Sequence, residues 1–195
     1  MRQTSIERNT NETKIRLSLN LDGRGTYSVD TGCGFLDHML ELFARHGRFD
    51  LEVQCRGDVK VDYHHTVEDV GIVLGKAFAQ ALGDMRGITR YGNFLLPMDE
   101  SLVLCAADLS GRTYLGWQMT LPMEKVGDFD TELAQEFWLA FTRGCPSTLH
   151  FSQLSGTNSH HILEAAFKGM ARALRQAVAI EAAYAGEIPS TKGLM

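Results

Sequence analysis

Thr13, Ile15, Leu17, Leu19 and Leu21 alternate with Lys14, Arg16, Ser18 and Asn20. A period of two is that of a strand with one face buried. Residues 102–109 are more continuously apolar, which predicts a buried strand. Further strands are predicted near 25–30 and 113–121. Helices follow over 34–46 and 130–143. Phe49, Leu51, Val53 and Cys55 alternate along a strand at 49–55, and 147–154 takes the same place later in the chain. A longer helix closes each half. Val67, Val70, Leu74, Phe78 and Ala81 recur at helical spacing in the first. Leu163, Phe167, Met170, Leu174, Ala177 and Val178 do so in the second. Asp62 and Asn158 stand just before these two helices and are candidate N-caps.

The pattern repeats because the sequence does. Residues 12–24 read ETKIRLSLNLDGR and residues 100–112 read ESLVLCAADLSGR, an offset of 88. HHTVED at 64–69 recurs as HHILEA at 160–165, an offset of 96. Two matches in one order, with a small drift between them, are the mark of a duplicated unit with altered loops. The expected fold is α+β. It is an internally duplicated strand-strand-helix-strand-helix unit, with sheets covered by helices. One domain is expected, made of two pseudo-repeats at about 8–92 and 93–193.

The chain has 195 residues, 44% apolar and 22% charged, and is long enough to bury a real core. Its net charge of -5 argues against nucleic acid, whose phosphates select basic faces, yet allows a local site for one small phosphate. No apolar stretch is long enough to span a bilayer. The opening MRQTSIERNTNETK has no apolar core of a signal peptide, so the cytoplasm is the expected location. Cys33, Cys55, Cys105 and Cys145 form no CxxC pair and read as free thiols, not as a zinc ribbon.

The histidines carry the chemistry. Four of the seven form two adjacent pairs, His64-His65 and His160-His161. Each pair starts a predicted helix and is followed by a Glu four positions after its first member: Glu68 and Glu164. Residues four apart share a helix face, so an imidazole and a carboxylate can hold one ion together. The second His points about 100° around the helix and is free for another ion or partner. A single His-His pair at a helix start is ordinarily a solvated surface feature. Two such units at equivalent places in a duplicated chain point instead to metal. A His/carboxylate set without Cys suits Mn²⁺, Fe²⁺ or Zn²⁺, and a mixed N/O octahedral set favours Mn²⁺. The order HHxxE is not that of the zinc proteases. His38 lies 26 residues before His64, and Glu136 lies 24 before His160. The same alignment pairs Phe43 with Phe141 and Arg45 with Arg143, so Glu136 is the counterpart of His38.

A set of motifs then becomes specific: FLDHML (35–40), ARHG (44–47), DYHHTVEDVG (62–71), RYG (90–92), MDESL (98–102), DLSGR (108–112), NSHHILEAAFK (158–168) and PSTKG (189–193). Together they span nearly the whole chain and resemble the signature of the imidazoleglycerol-phosphate dehydratase family. The resemblance implies halves akin to the second domain of ribosomal protein S5. It implies a lyase of histidine biosynthesis that converts D-erythro-imidazoleglycerol phosphate to imidazoleacetol phosphate with loss of water. Two Mn²⁺ ions per active site and a large cubic-symmetry homo-oligomer, a 24-mer with sites between subunits, are implied with it. In the implied chemistry a ring imidazolate expels hydroxide, giving a diazafulvene-like intermediate. Loss of a proton from the adjacent carbon then yields an enol that becomes the ketone.

Carried over by position, the metal ligands are His38, His64, His65, Glu68, His160, His161 and Glu164. Many relatives have His where this chain has Glu136, which is a competent eighth ligand. The acid/base candidates are Glu12 and Glu164, with Asp99 in support. Arg90, Arg112, Ser190 and Lys192 match phosphate-binding positions, and His46 matches a substrate contact. His150 is read as structural. The PSTKGLM tail is expected to order around substrate. Two alternatives stand beside this reading: a dinuclear metal phosphoesterase, and a metal-assembled non-catalytic module. An RNA-binding role for such a module is disfavoured by the acidic charge and by the lack of a basic, aromatic-bearing strand.

Overall fold

The computed structural model describes residues 2–193. The first half runs β1 (Gln3–Asn9), β2 (Thr13–Asn20), β3 (Tyr27–Asp30), α1 (Gly34–Gly47), β4 (Asp50–Gly57) and α2 (His64–Leu82). The second runs β5 (Tyr91–Met98), β6 (Ser101–Asp108), β7 (Tyr114–Gln118), a small hairpin of β8 (Lys125–Val126) and β9 (Phe129–Asp130), α3 (Leu133–Gly144), β10 (Thr148–Ser155) and α4 (Ser159–Ala177). A single 3-10 turn follows at Ala182–Tyr184.

The two sheets have one topology. Their strand orders are β1-β2-β4-β3 and β5-β6-β10-β7. The pairing register matches as well. Ile6, Leu17, Val53 and Val29 form one row across the first sheet, and Phe94, Cys105, Phe151 and Trp117 form the corresponding row across the second. In each sheet only the last pair is parallel. The alternation in β2 buries Ile15, Leu17 and Leu19 and exposes Lys14 and Arg16.

Each four-stranded sheet contains one strand more than the hydrophobic pattern indicates, and the second half adds the β8–β9 hairpin. β1 (QTSIERN) presents only a half-buried face, Thr4, Ile6 and Arg8, which is too polar to register as an apolar alternation. β5 buries only Gly92 and Leu96 and carries Pro97. Both are edge strands, where a missing N–H donor is tolerated. Helix α3 begins later than the sequence indicates because the β8–β9 hairpin takes up 125–130. Phe129 of that hairpin packs its ring on Phe35, with centroids 5.0 Å apart.

α1 and α2 cover the first sheet, and α3 and α4 cover the second. The helices then pack across the two halves, α1 on α4 and α2 on α3. Aromatic rings join the halves into one core: Phe43 lies 6.0 Å from Trp138, and Phe78 lies 5.2 Å from Phe141, centroid to centroid. Gly71 and Gly75 let α2 approach α3 closely. A Cβ at Gly71 would fall 2.6 Å from the Phe137 carbonyl oxygen, and one at Gly75 would collide with that of Phe141. Glycine within a helix costs about 1 kcal/mol relative to alanine, and here the close approach of two backbones requires it. This packing sets the first turn of α2 beside α3, and that of α4 beside α1.

All four cysteines are buried and unpaired. Among the described residues, no helix is long and apolar enough to cross a membrane.

Candidate metal centre

The first turn of α4 is capped by Asn158, whose side-chain oxygen accepts from the backbone N–H groups of His160 (2.9 Å) and His161 (3.4 Å). In α2 the Asp62 carboxylate accepts from the His64 N–H at 2.7 Å, one residue ahead of the cap position, Tyr63. Each anchor fixes where the following imidazoles leave the helix.

His160 and Glu164 share one face of α4, and His38 of α1 meets them from across the helix interface. His38 Nε2 lies 3.0 Å and His160 Nε2 3.1 Å from the same Glu164 Oε1. The three donor atoms all fall within 4.8 Å of one another. Among the described residues, this is the group of three or more His, Cys, Asp or Glu side chains that converges in this way. Glu164 is buried, and burial pushes its carboxyl up. The Lys168 ammonium and the His38 and His160 rings outweigh that and hold it down at about 2. Two imidazoles aimed at one ionised carboxylate oxygen form a donor set that fits a divalent cation. His38 therefore lies with His160 and Glu164 of the other half. α3, the helix that carries Glu136, packs on α2.

In the first half the ligand candidates stand apart. Glu68 pairs with Arg143 of α3 at 3.1 Å. His64 and His65 lie edge to face, 6.3 Å between centroids. Glu136 is half-buried in the first turn of α3. The outer histidines are both held by carboxylates. His65 Nδ1 lies 2.9 Å from Asp58 Oδ2, and His161 Nδ1 lies 2.7 Å from Glu100 Oε2. Each bond raises its imidazole's pKa and is the largest cause of that shift. Glu100 is in turn held well below the usual carboxylate range by His161 and by the N–H groups of Asn158 and Thr157. On the other nitrogen, Glu12 stands 3.8 Å from His65 Nε2, and Asp99 stands 3.8 Å from His161 Nε2. Asp99 sits in the β5–β6 turn with φ at 49°.

Of the phosphate candidates, Arg90 and Arg112 meet over Asp108 at the edge of the second sheet where β5 begins and β6 ends. Asp108 accepts from Arg90 through Nε at 2.7 Å and Nη2 at 3.2 Å, and lies 3.7 Å from Arg112 Nη2. Arg90 Nη1 also donates to the Pro189 carbonyl at 2.8 Å, which ties the tail to this edge. Ser190 Oγ accepts from the Lys192 backbone N–H at 3.2 Å. Residues 194–195 of the PSTKGLM tail lie outside the described residues. His46 follows His38 by two turns of α1. Burial and the charges of Lys168 and Arg172 lower its pKa. His150 is exposed on β10, its ring 5.4 Å from that of Tyr114.

Sequence reasoning missed Asp58, Glu100, Asp108 and Lys168. Glu100 heads the repeat that matches Glu12, and Lys168 is four residues after Glu164, so both carried a signal. Asp58 carried none.

Fold and site define a duplicated α+β protein with a His/carboxylate centre able to hold a divalent cation. The sequence profile of the family described as imidazoleglycerol-phosphate dehydratase matches residues 31–174. The chain is 60% identical to the imidazoleglycerol-phosphate dehydratase of Azorhizobium caulinodans, covering 100% of this chain and 99% of that one. It is 57% identical to that of Xanthobacter autotrophicus, with the same coverage. The crystal structure of the Pyrococcus furiosus enzyme superposes with a TM-score of 0.84 at 36% identity, covering 97% of this chain and 100% of that one. The Staphylococcus aureus enzyme also gives 0.84, at 37% identity, covering 92% and 99%. The chain belongs to the imidazoleglycerol-phosphate dehydratase family, hydro-lyases of histidine biosynthesis.

Proposed function

We propose that this chain dehydrates D-erythro-imidazoleglycerol phosphate to imidazoleacetol phosphate in a Mn²⁺-dependent reaction, as one domain of two pseudo-repeats at about 8–92 and 93–193. The observation that carries the metal role is the convergence of His38, His160 and Glu164 on one point. When bound, Mn²⁺ supplies Lewis acidity that favours the imidazolate form of the substrate ring.

Seven side chains, His38, His64, His65, Glu68, His160, His161 and Glu164, serve as ligands for two ions, with Glu136 as the eighth. His64, His65, Glu68 and Glu136 do not close a site within one chain, which supports a site completed by neighbouring subunits of a homo-oligomer, the 24-mer of the family. The exposed leucines of the second sheet support such an assembly too. Glu164, held ionised, acts as ligand and proton acceptor. Glu12 and Asp99 stand just beyond hydrogen-bond reach of a ligand nitrogen, where a carboxylate can exchange a proton with bound substrate. His46, shifted toward its neutral form, contacts the substrate. Arg90 and Arg112 present guanidinium forks for the phosphate, with Ser190 and Lys192 closing over it. The cytoplasm is the expected compartment.

The test is turnover of imidazoleglycerol phosphate by chelator-stripped protein with and without added Mn²⁺, following ketone and free phosphate together. Ketone formed only with Mn²⁺, and no phosphate, is the expected result. Phosphate release would move the case to a metal phosphoesterase. Neither product, from folded Mn²⁺-loaded protein, would leave a non-catalytic metal-assembled module.

A further inference from the structure

We infer that Asp58 and Glu100 are positioning residues that lock the imidazoles of His65 and His161 with Nδ1 as the donor, leaving Nε2 as the nitrogen that meets the metal. The inference rests on the reading of His65 and His161 as ligands.

A neutral imidazole has one N–H and one lone pair, and an ionised carboxylate only accepts. Asp58 at 2.9 Å and Glu100 at 2.7 Å therefore place the proton on Nδ1. The lone pair is then at Nε2, the side on which Glu12 and Asp99 stand off at 3.8 Å. His38 and His160 instead present Nε2 to the Glu164 carboxylate, so the Nδ1 lock belongs to the outer histidine of each pair. A carboxylate on the distal nitrogen fixes tautomer and ring orientation and raises ligand basicity.

Glu100 is built to hold still. Its Oε1 accepts from the N–H groups of Thr157 (3.1 Å) and Asn158 (2.9 Å) and from the Ser101 hydroxyl (2.9 Å), while Oε2 takes His161. Asp58 is pinned through its backbone, its N–H donating to the Glu12 carbonyl at 3.0 Å and its carbonyl accepting from the Val61 N–H at 2.9 Å. The two carboxylates are not equivalent in the repeat. Glu12 is the counterpart of Glu100, yet it stands on the Nε2 side of His65, and Asp58 from the loop after β4 does the holding. One geometry reached from two chain positions points to a function of that geometry, beyond what duplication alone would preserve.

The variants are Asp58→Asn and Glu100→Gln in the full chain. In Glu100→Gln the amide oxygen can keep the Thr157 and Asn158 contacts, so the amide NH₂ turns to His161 and donates to Nδ1. The tautomer inverts and Nε2 gains the proton. Two measurements read this. Nitrogen NMR of histidine-labelled, metal-free protein at alkaline pH should show His161 protonated at Nδ1 in the parent and at Nε2 in Glu100→Gln. Titration with Mn²⁺, followed by the paramagnetic resonance of the free ion, should show about a 10–100-fold loss of affinity in each variant. Glu100→Asp and Asp58→Glu, which keep an acceptor, should recover part of it. Folded variants with the parent tautomer and parent Mn²⁺ affinity would overturn the inference. Tautomer inversion without any Mn²⁺ binding by the parent would instead sink the ligand reading on which it rests.

Discussion

At matching register positions the first sheet turns Lys14, Arg16 and Ser18 outward, where the second turns Leu102, Leu104 and Ala106. On the neighbouring strands the difference is smaller: Glu52, Gln54 and Arg56 stand where β10 has His150, Ser152 and Ser155, with Leu154 exposed at a bulge. The inner faces differ in the same sense. Beneath the first sheet the Asp69 carboxylate pairs with Arg8 and accepts from the Thr13 hydroxyl. The corresponding positions in the second half hold Ala165, Leu96 and Ser101. Both halves keep the same strand order and register. The backbone plan therefore depends on the apolar rows, such as Leu17 with Val53 and Cys105 with Phe151, and tolerates wide change elsewhere. A polar outer face is suited to water, and an apolar one to another protein surface. The ligand groups diverge too, since among the described residues only α4 and α1 close a three-donor cluster within one chain.

Replacing the equivalent carboxylates gives the largest expected effects. Glu164→Gln should lower kcat/KM by about 10³-fold, within the range for losing a positioned acid/base group. We expect Glu68→Gln to fall within tenfold of it, because the proposed assembly would bring the first-half ligands into use. A Glu68→Gln enzyme that keeps most of its activity would break the equivalence of the two centres. Metal-free protein gives a second reading of Glu164. Its folded pKa, about 2, lies below the ordinary 4.5. Its contribution to stability is therefore complete above pH 4.5 and is lost as the pH falls toward 2. Thermal melts over that window should show a fall in Tm that Glu164→Gln flattens.

The sequence made some of this legible and hid the rest for physical reasons. The two HHxxE units, the duplication and the four long helices could be read because periodicity and spacing are properties of the chain itself. β1 and β5 could not, since an edge strand needs only one weakly apolar face. The partner of His38 was equally hidden. Spacing left the division of ligands between the two pairs open, and packing of α1 on α4 brought it to His160 and Glu164. Asp58 shows the limit most plainly: nothing around it in the sequence marks it, and only the loop after β4 brings it to His65.

The buried polar group in the first half gives a prediction of intermediate size. Removing one member of a buried ion pair leaves the other uncompensated, so Asp69→Ala should cost about 3 kcal/mol in urea unfolding of the metal-free protein. The double change Arg8→Leu with Asp69→Ala copies the apolar pair of the second half. It should restore at least half of the loss, as replacement of a whole pair by packed apolar side chains does elsewhere. Failure to recover would mean that Thr13, deprived of its acceptor, matters more than the charge.

The smallest effect on the fold should come from the outer face of the second sheet. Leu104→Arg installs the residue that the first sheet carries at the same place, Arg16. Leu104 is 38% exposed, so the change removes little buried area within the chain. A surface substitution of this kind shifts stability by no more than about 0.5 kcal/mol. If the face is covered by another subunit, however, it puts a charge among Leu95, Leu102 and Leu154 and must desolvate it. The expected result is a smaller species in sedimentation velocity, with unfolding of the dissociated chain unchanged. Reduced turnover in that smaller species would join the apolar sheet to the metal centre, because ligands on α2 would then lack the neighbour that completes their site. Unchanged assembly would assign the leucines no part in it and leave the contrast between the two sheets without a functional cause.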